Sequence, residues 1–394
     1  MDEARLVIER LERIDALRRE GAPASDLLAE VRGLLVEGER WLAAEKPDEV
    51  ERARAALADC RASLAPEPEG VMPRRLPIIA AQMPRYGPPD AFETPRFSGP
   101  RTFMRLPHVT DLDGVDVAVV GVPSDGAQVF RSGARFGPEA IRSVSVMLRN
   151  YNPILDVDVS ARLSLVDYGD VPTVPGSTAD SLERSRAGLE ELVRAGVTTL
   201  CLGGDHTVLL AELRSLAAVH GPLGLIQLDA HHDLWDEYFG QKLFHGSVVR
   251  RAAEEGLVDP ARSIQAGMRG SLTAKEDAGL PAELGFDSLT YEELAALGPE
   301  GFGRRARARV GGAPCFLSFD IDFVDPAFAP GTGTPEVGGP SSREALANIR
   351  SLAGVDFRGF DCVEVSPPYD PAAVTAFVAA NACFEMLSLV ALGR

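Results

Sequence analysis

Cysteine is scarce in this chain and carries no pattern. The five cysteines, Cys60, Cys201, Cys315, Cys362 and Cys383, are odd in number and form no C-x-x-C pair. That points away from a disulfide framework and toward a reducing compartment. Several sit in apolar runs, where a free thiol behaves as a small hydrophobe. Basic stretches are missing as well. Lys and Arg total 40 against 58 Asp and Glu, a formal net charge of −18, and no basic stripe marks a nucleic-acid surface. An acidic surface steers cationic small molecules inward, and it also serves plain solubility. The first twenty residues, MDEARLVIERLERIDALRRE, are charged throughout and lack the apolar region of a secretory signal. No apolar stretch reaches the ~20 residues of a membrane span. The expectation is a cytoplasmic protein with no membrane partner. Internal repeats and low-complexity tracts are absent too.

The 394 residues are 45% hydrophobic and 25% charged, which suits one large α/β domain with an appendage. Residues 1–64 read as a helical extension: Val7, Leu11, Ile14 and Leu17 share one helix face, and Leu27, Leu28, Val31, Leu34 and Leu35 form a second stripe. Residues 65–107 carry ten prolines, from Pro66 to Pro107, which forbid regular helix. They read as a linker or wrapping segment, docked through Phe97, Phe103 and Met104. The catalytic domain is expected over 108–394. There, short apolar runs alternate with helical patterns. Strands are expected over 116–122, 163–167, 198–202, 223–228, 263–267, 315–319 and 360–365, with helices such as 181–195 and 207–220 between them. That alternation implies a parallel sheet covered by helices on both faces, with the site beyond the carboxyl ends of the strands.

Four clusters fall at those ends: Gly203-Gly204-Asp205-His206, Asp229-Ala230-His231-His232-Asp233, Asp320-Ile321-Asp322 and Asp361-Cys362-Val363-Glu364. Each alone has an ordinary structural reading as a turn, a solvated loop or a helix cap. Three together at neighbouring strand ends imply convergence of His206, Asp229, His231, Asp233, Asp320 and Asp322. Alternation in extended chain would place Asp229, His231 and Asp233 on one face. Four carboxylates packed together repel, and divalent cations relieve that repulsion. Imidazole and carboxylate ligands without thiolate suit borderline or hard metals. Six ligands are too many for one metal that keeps an open position, and they suit two.

On these motifs the chain resembles the ureohydrolases, the family of arginase and agmatinase, over roughly residues 96–394. The resemblance implies a three-layer α/β/α sandwich around an eight-stranded, mostly parallel sheet, assembled as trimers or hexamers. It implies two metals, Mn²⁺ in first place and Ni²⁺ as the alternative, with a metal-delivery chaperone as partner if nickel is used. His206, Asp229, Asp233 and Asp320 would hold one metal, and His231, Asp229, Asp320 and Asp322 the other. Glu364 matches the carboxylate that holds a substrate guanidinium, and His245 the histidine that passes a proton to the leaving amine. Asp233 could orient the attacking oxygen. The implied reaction hydrolyses a guanidino C–N bond, giving urea and an amine or ammonia. Segments such as GARFGPEAIR (133–142) and GTGTPEVGG (331–339) are similar to the agmatinase and guanidinobutyrase side of the family. Two places depart from it: the loop after the first strand, which differs at Ser124 and from Ala127 to Phe130 and lies near the substrate in the family, and His232. Ser124 stands where many relatives have an aromatic, and His232 where they have Ser or Thr; both are candidates for the substrate pocket. The long extension also resembles that of guanidine hydrolases, so free or small substituted guanidine is an alternative substrate. A zinc deacetylase-like hydrolase would need fewer ligands than the six present. A non-catalytic metal-binding subunit would be expected to have lost a ligand, Glu364 or His245, and none is lost.

Overall fold

The computed structural model describes residues 84–394, with Arg13, Glu30 and Leu34 as isolated positions before them. The helices expected over 1–64, and the linker as far as residue 83, lie outside the described residues. The chain divides into two units, Met1–Ala81 and Gln82–Arg394, and the second carries everything below.

Apolar β-branched runs build eight strands of one sheet: β1 Val117–Val122, β4 Leu165–Asp170, β5 Thr198–Gly203, β6 Gly224–Leu228, β7 Ile264–Met268, β8 Asp287–Thr290, β9 Cys315–Asp320 and β10 Phe357–Val363. A two-stranded hairpin, β2 Tyr151–Asn152 with β3 Val157–Asp158, stands apart from it. The sheet order is β4-β1-β5-β10-β9-β6-β7-β8, and every pairing in it is parallel. Successive residues feed opposite layers, as the pleat requires. Val117, Val119, Leu200, Leu202 and Leu317 belong to one buried cluster, while Ala118, Val120, Cys201, Leu225 and Phe316 belong to the other. Both faces are covered, as parallel sheets demand. The helices Gly137–Ser145 (α1), Tyr291–Val310, Ser342–Arg350 and Val374–Leu392 serve the first cluster. Thr178–Arg194, Val208–His220 and Val248–Glu254 serve the second. This is the three-layer sandwich.

Three sequence expectations are corrected. The run expected as strand over 360–365 pairs only to Val363; Glu364 takes φ 64°, a left-handed value that ends the ladder and turns its side chain inward. The edge strand β8 escaped notice because DSLT is short, polar and largely uncovered. One run does reach membrane-spanning length: Pro371–Leu392, with hydropathy 1.7. It is a core helix, with 72% of its apolar window buried, and its Glu385 accepts from Asn152 at 2.8 Å and Arg350 at 2.6 Å.

The proline-rich segment splits in behaviour. Phe103 and Met104 are buried, whereas Phe97 is 78% exposed. Asp167 pins the buried part: it accepts from Phe103 N at 2.7 Å and from Arg142 of α1 at 2.9 and 3.0 Å. The described cysteines, Cys201, Cys315, Cys362 and Cys383, are buried and free.

The sheet order positions the site. From β1 the chain builds to one edge, and from β6 to the other. It then returns to insert β9 and β10 in the middle, so β5, β10, β9 and β6 lie side by side. The register aligns Leu228 with Phe319, Asp320 with Val363, and Cys362 with Leu202. The next residues along each strand therefore bring Asp229, Asp320, Glu364 and the Gly203-Gly204 corner to one crevice.

Candidate metal centre and active site

The corner after β5 needs glycine. A Cβ on Gly204 would lie 1.7 Å from the Ser124 carbonyl oxygen, so only a bare backbone lets this strand end approach the loop after β1. Asp205 N then donates to Ser124 O at 2.7 Å, and Asp205 Oδ2 accepts from Ala127 N at 3.0 Å. This aims His206 at the crevice. Its ring is fully buried, and three carboxylates face Nδ1: Asp233 at 2.8 Å, Asp229 at 3.3 Å and Asp320 at 3.3 Å.

A second imidazole lies across the same carboxylate. His231 Nδ1 stands 2.9 Å from Asp322 Oδ2 and 3.6 Å from Asp229 Oδ1. Two groups with metal-ligand spacing result, His206–Asp229–Asp233 and Asp229–His231–Asp322. Asp229 belongs to both, one oxygen toward each imidazole. The convergence does not come from alternation along a strand. β6 ends at Leu228, and Asp233 takes φ 52°. Asp320 ends β9, and its Oδ1 caps the following turn by accepting Asp322 N at 2.8 Å. Turns, not pleat, gather these side chains. Backbone strain of this kind concentrates at functional sites.

Hydrogen bonds decide what the groups can hold. Ser318 Oγ donates to Asp361 Oδ1 at 2.9 Å, so its lone pair is left for His206 Nε2 at 2.9 Å. Nε2 then carries one proton, and Nδ1 faces three carboxylates, which outweigh burial and favour a second proton on it in the metal-free protein. The arrangement calls for positive charge at Nδ1, which a proton supplies in the metal-free protein and a divalent cation can supply in its place. Burial would raise the Asp229 carboxyl, but His206 and His231 hold it well below the carboxylate range. Burial and the neighbouring carboxylates Asp322 and Asp229 push Asp320 well above it. Crowded oxygens of this kind fit divalent metals.

Glu364 sits beside this cluster, fully buried. Its Oε1 accepts from His206 N at 2.8 Å and faces His245 Nδ1 at 3.4 Å; its Oε2 accepts from Gln128 Nε2 at 2.7 Å. A cavity of about 680 Å³ opens from the cluster, lined by His231, Asp233, Trp235, Phe244, His245 and Leu272 among others. His232 also lines it, with its Nδ1 3.5 Å from Ser288 Oγ. His232 is in neither metal-spaced group. Ser124 is buried beneath Gly204 and is not among the lining residues.

The arginase-family profile matches residues 115–388. Guanidinopropionase of Pseudomonas aeruginosa is 44% identical over 316 residues, covering 80% of this chain and 96% of its own. The human mitochondrial guanidino acid hydrolase is 42% identical over 314 residues, covering 80% and 89%. The chain belongs to the arginase family. Among solved structures of this family, proclavaminate amidinohydrolase from Streptomyces clavuligerus superposes with a TM-score of 0.73 at 39% identity, covering 76% of this chain and all of that one. As an arginase-family ureohydrolase, the chain is an enzyme, and its fold is the one the motifs implied.

The sequence assigned no role to several residues around the site, although Asp361 stood in the fourth cluster. Ser318 and Asp361 set the His206 tautomer. Gln227 Nε2 donates to Asp229 Oδ2 at 2.7 Å. Gln128 holds Glu364. Glu336 lies 3.8 Å from His231 Nε2. Gln227 and Ser318 sit inside apolar strands, at LGLIQL and CFLSF; a polar residue within a buried strand is the signal that could have found them. Gln128 lies in the loop after β1 whose departure from the family pattern was its signal; Glu336 lies in the 331–339 segment, whose pattern gave it no role.

His245 carries a testable pH dependence. Burial by itself lowers its pKa, but the hydrogen bond and charge of Glu364 outweigh that and raise it to about 9. A raised histidine stabilises the fold fully below its unfolded pKa, ~6.5, and loses that contribution as pH rises through the folded value. In metal-free protein, wild type is expected to lose about 3 kcal/mol relative to His245→Asn between ~pH 6 and ~pH 10. Denaturant titrations across that range measure it, and a wild-type-minus-variant difference that stays flat refutes the assignment.

Proposed function

We propose that this enzyme hydrolyses the C–N bond of a substituted guanidine, releasing urea and an amine. Two divalent metal ions would be held by His206, Asp229, Asp233 and Asp320 and by His231, Asp229, Asp320 and Asp322. Mn²⁺ is the first choice and Ni²⁺ the alternative. The observation that carries the reading is the sharing of Asp229 between two metal-spaced groups, with the buried Glu364–His245 pair alongside. When bound, such a metal pair supplies Lewis acidity and makes water a nucleophile at neutral pH.

The chain's own residues do the rest. Glu364 binds the guanidinium through charge-assisted hydrogen bonds, for which a buried carboxylate is the matched partner. The Asp233 carboxylate accepts a hydrogen bond from the attacking oxygen and orients it toward the guanidino carbon. His245, protonated beside Glu364, gives a proton to the departing nitrogen. The wall around Trp235, Phe244 and Leu272 excludes water from the tail.

Cavity size favours a substituted guanidine over free guanidine, since about 680 Å³ is room for a substrate with a multi-atom tail. Agmatine-like and guanidinobutyrate-like compounds both fit that description. The reading includes a cytoplasmic homo-oligomer, trimer or hexamer, and a metal-delivery partner if nickel is used.

The test is urea release by protein loaded separately with Mn²⁺ and Ni²⁺. The panel is agmatine, 4-guanidinobutyrate, 3-guanidinopropionate, arginine, guanidine and methylguanidine. Urea from a tailed guanidine is expected. Turnover of guanidine alone moves the assignment to the small-guanidine alternative, and no urea from any compound removes the proposal.

A further inference from the structure

We infer that Gln128 is a specificity-determining residue that reads the substrate guanidinium jointly with Glu364. This rests on the guanidino reading above and adds a contact to it.

Gln128 lies in the loop after β1. Its Nε2 donates to Glu364 Oε2 at 2.7 Å. Its Oε1 is buried and has no hydrogen-bond partner. A buried acceptor without a donor is destabilising, and a ligand that donates to it recovers the loss. The state of Glu364 shows which ligand. Oε1 is already engaged, accepting His206 N at 2.8 Å and facing His245 Nδ1 at 3.4 Å. Oε2 has only Gln128. A guanidinium bridging both oxygens of Glu364 would have to displace His245 or Gln128. A guanidinium spanning Glu364 Oε2 and Gln128 Oε1 displaces neither. Each acceptor keeps a free lone pair, and the guanidinium offers parallel N–H donors and no acceptor.

The amide's seat is built. A Cβ on Gly333 would lie 2.8 Å from Gln128 Nε2 and 3.1 Å from Glu364 Oε2, so the bare glycine keeps the pair together. The preceding residue is tied down through Ala127 N and Asp205 Oδ2 at 3.0 Å. Gln128 and Glu364 are not themselves lining residues, but their neighbours are: Val129 follows Gln128, and His245 faces Glu364.

The test uses metal-loaded Gln128→Met, which keeps length but removes donor and acceptor, and Gly333→Ala, which displaces the amide without changing it. On the best substrate of the panel, KM is expected to rise about tenfold or more in Gln128→Met, with a smaller fall in kcat. Gly333→Ala shifts KM the same way. A lower KM in Gln128→Met means that the amide merely blocks Glu364, and it overturns the inference; an unchanged KM does the same. Calorimetric titration with guanidinium chloride at non-denaturing concentration is the second readout. Binding is expected to weaken in Gln128→Met, and equal affinity, or none in either protein, overturns the inference. Should wild type release no urea at all, the activity reading falls on that result alone, and calorimetry still judges Gln128.

Discussion

Asp229→Ala is expected to abolish urea release and to reduce metal content from two ions per chain to one or none. Supporting residues around metal sites commonly cost ~10–100-fold when removed, so loss of a ligand common to both ions should exceed ~10³-fold. The reason is geometric. Asp229 Oδ2 faces His206 Nδ1 at 3.3 Å, and Oδ1 faces His231 Nδ1 at 3.6 Å. Its two other contacts, Gln227 Nε2 at 2.7 Å and His231 N at 2.6 Å, hold the carboxylate in that bridging attitude. Asp322→Ala is the control. Asp322 faces only His231 within the metal-spaced groups, so this variant should keep one ion, on the His206 side. Asp229→Ala removes a partner of both imidazoles and is expected to destabilise metal-free protein, so a thermal melt on the same sample checks that the variant is folded. Plasma emission on dialysed protein counts the ions, and urea release reads the activity. Two bound ions with near-normal turnover in Asp229→Ala would show that the two groups do not share this ligand.

Much of this arrangement was legible in the chain. The central strands are buried on both faces, so they read as continuous apolar runs, and their order of appearance with intervening helices dictated a parallel sheet. The six candidate ligands were legible because each follows such a run closely, where a buried carboxylate or imidazole is rare unless it is paired or binds a metal. What was not legible follows from the same physics. The strand Asp287–Thr290 lies at an edge with little apolar surface to bury, and so leaves no pattern. The end of the last strand was misplaced because Glu364 adopts a left-handed backbone, a choice that local composition does not betray. The alternation argument for Asp229, His231 and Asp233 named residues that the structure does bring together, but by the wrong geometry. The chain turns there, and register between β6 and β9 supplies the convergence.

Electrostatic roles were the least legible. Nothing in the motif around Asp361 shows that it sets a tautomer, since that depends on Ser318 from the neighbouring strand. Burial, then relief by His206 and Ser318, leaves the Asp361 carboxyl raised to about 6. Glu212 of the helix Val208–His220 is similarly hidden. It is buried behind Cys201 and pushed well above the usual carboxylate range by burial and by the charge of Asp361. Both residues lie in apolar segments where a sequence reading expects hydrophobes. The candidate metal site thus stands on a polar layer that only the packing of the neighbouring strands and that helix reveals.

Glu364→Gln is expected to lower kcat/KM on the guanidino substrate by on the order of 10²–10³-fold, because removing one partner of a buried ion pair costs about 3–5 kcal/mol. The substitution is close to isosteric, and the protein can absorb it. Oε1 of Glu364 receives His206 N, so the new amide keeps its oxygen there and turns its NH₂ toward Gln128. The Gln128 amide, whose Oε1 lacks a partner, then rotates to accept that donor. The Gln128 NH₂ then loses its carboxylate acceptor, at a cost of about 1–3 kcal/mol in fold stability, but no metal-facing group moves and metal content should stay at the wild-type value. What disappears is the negative charge that attracts the guanidinium and also raises the His245 pKa. The loss should therefore appear mainly in KM at neutral pH, with a further fall in kcat from weaker protonation of the leaving nitrogen. That second component should shift the basic limb of the pH–rate profile to lower pH. Steady-state kinetics across pH, with metal content measured on the same samples, separates the two. An unchanged kcat/KM with two ions bound would remove Glu364 from guanidinium recognition and leave it as a structural anchor for His206 and His245.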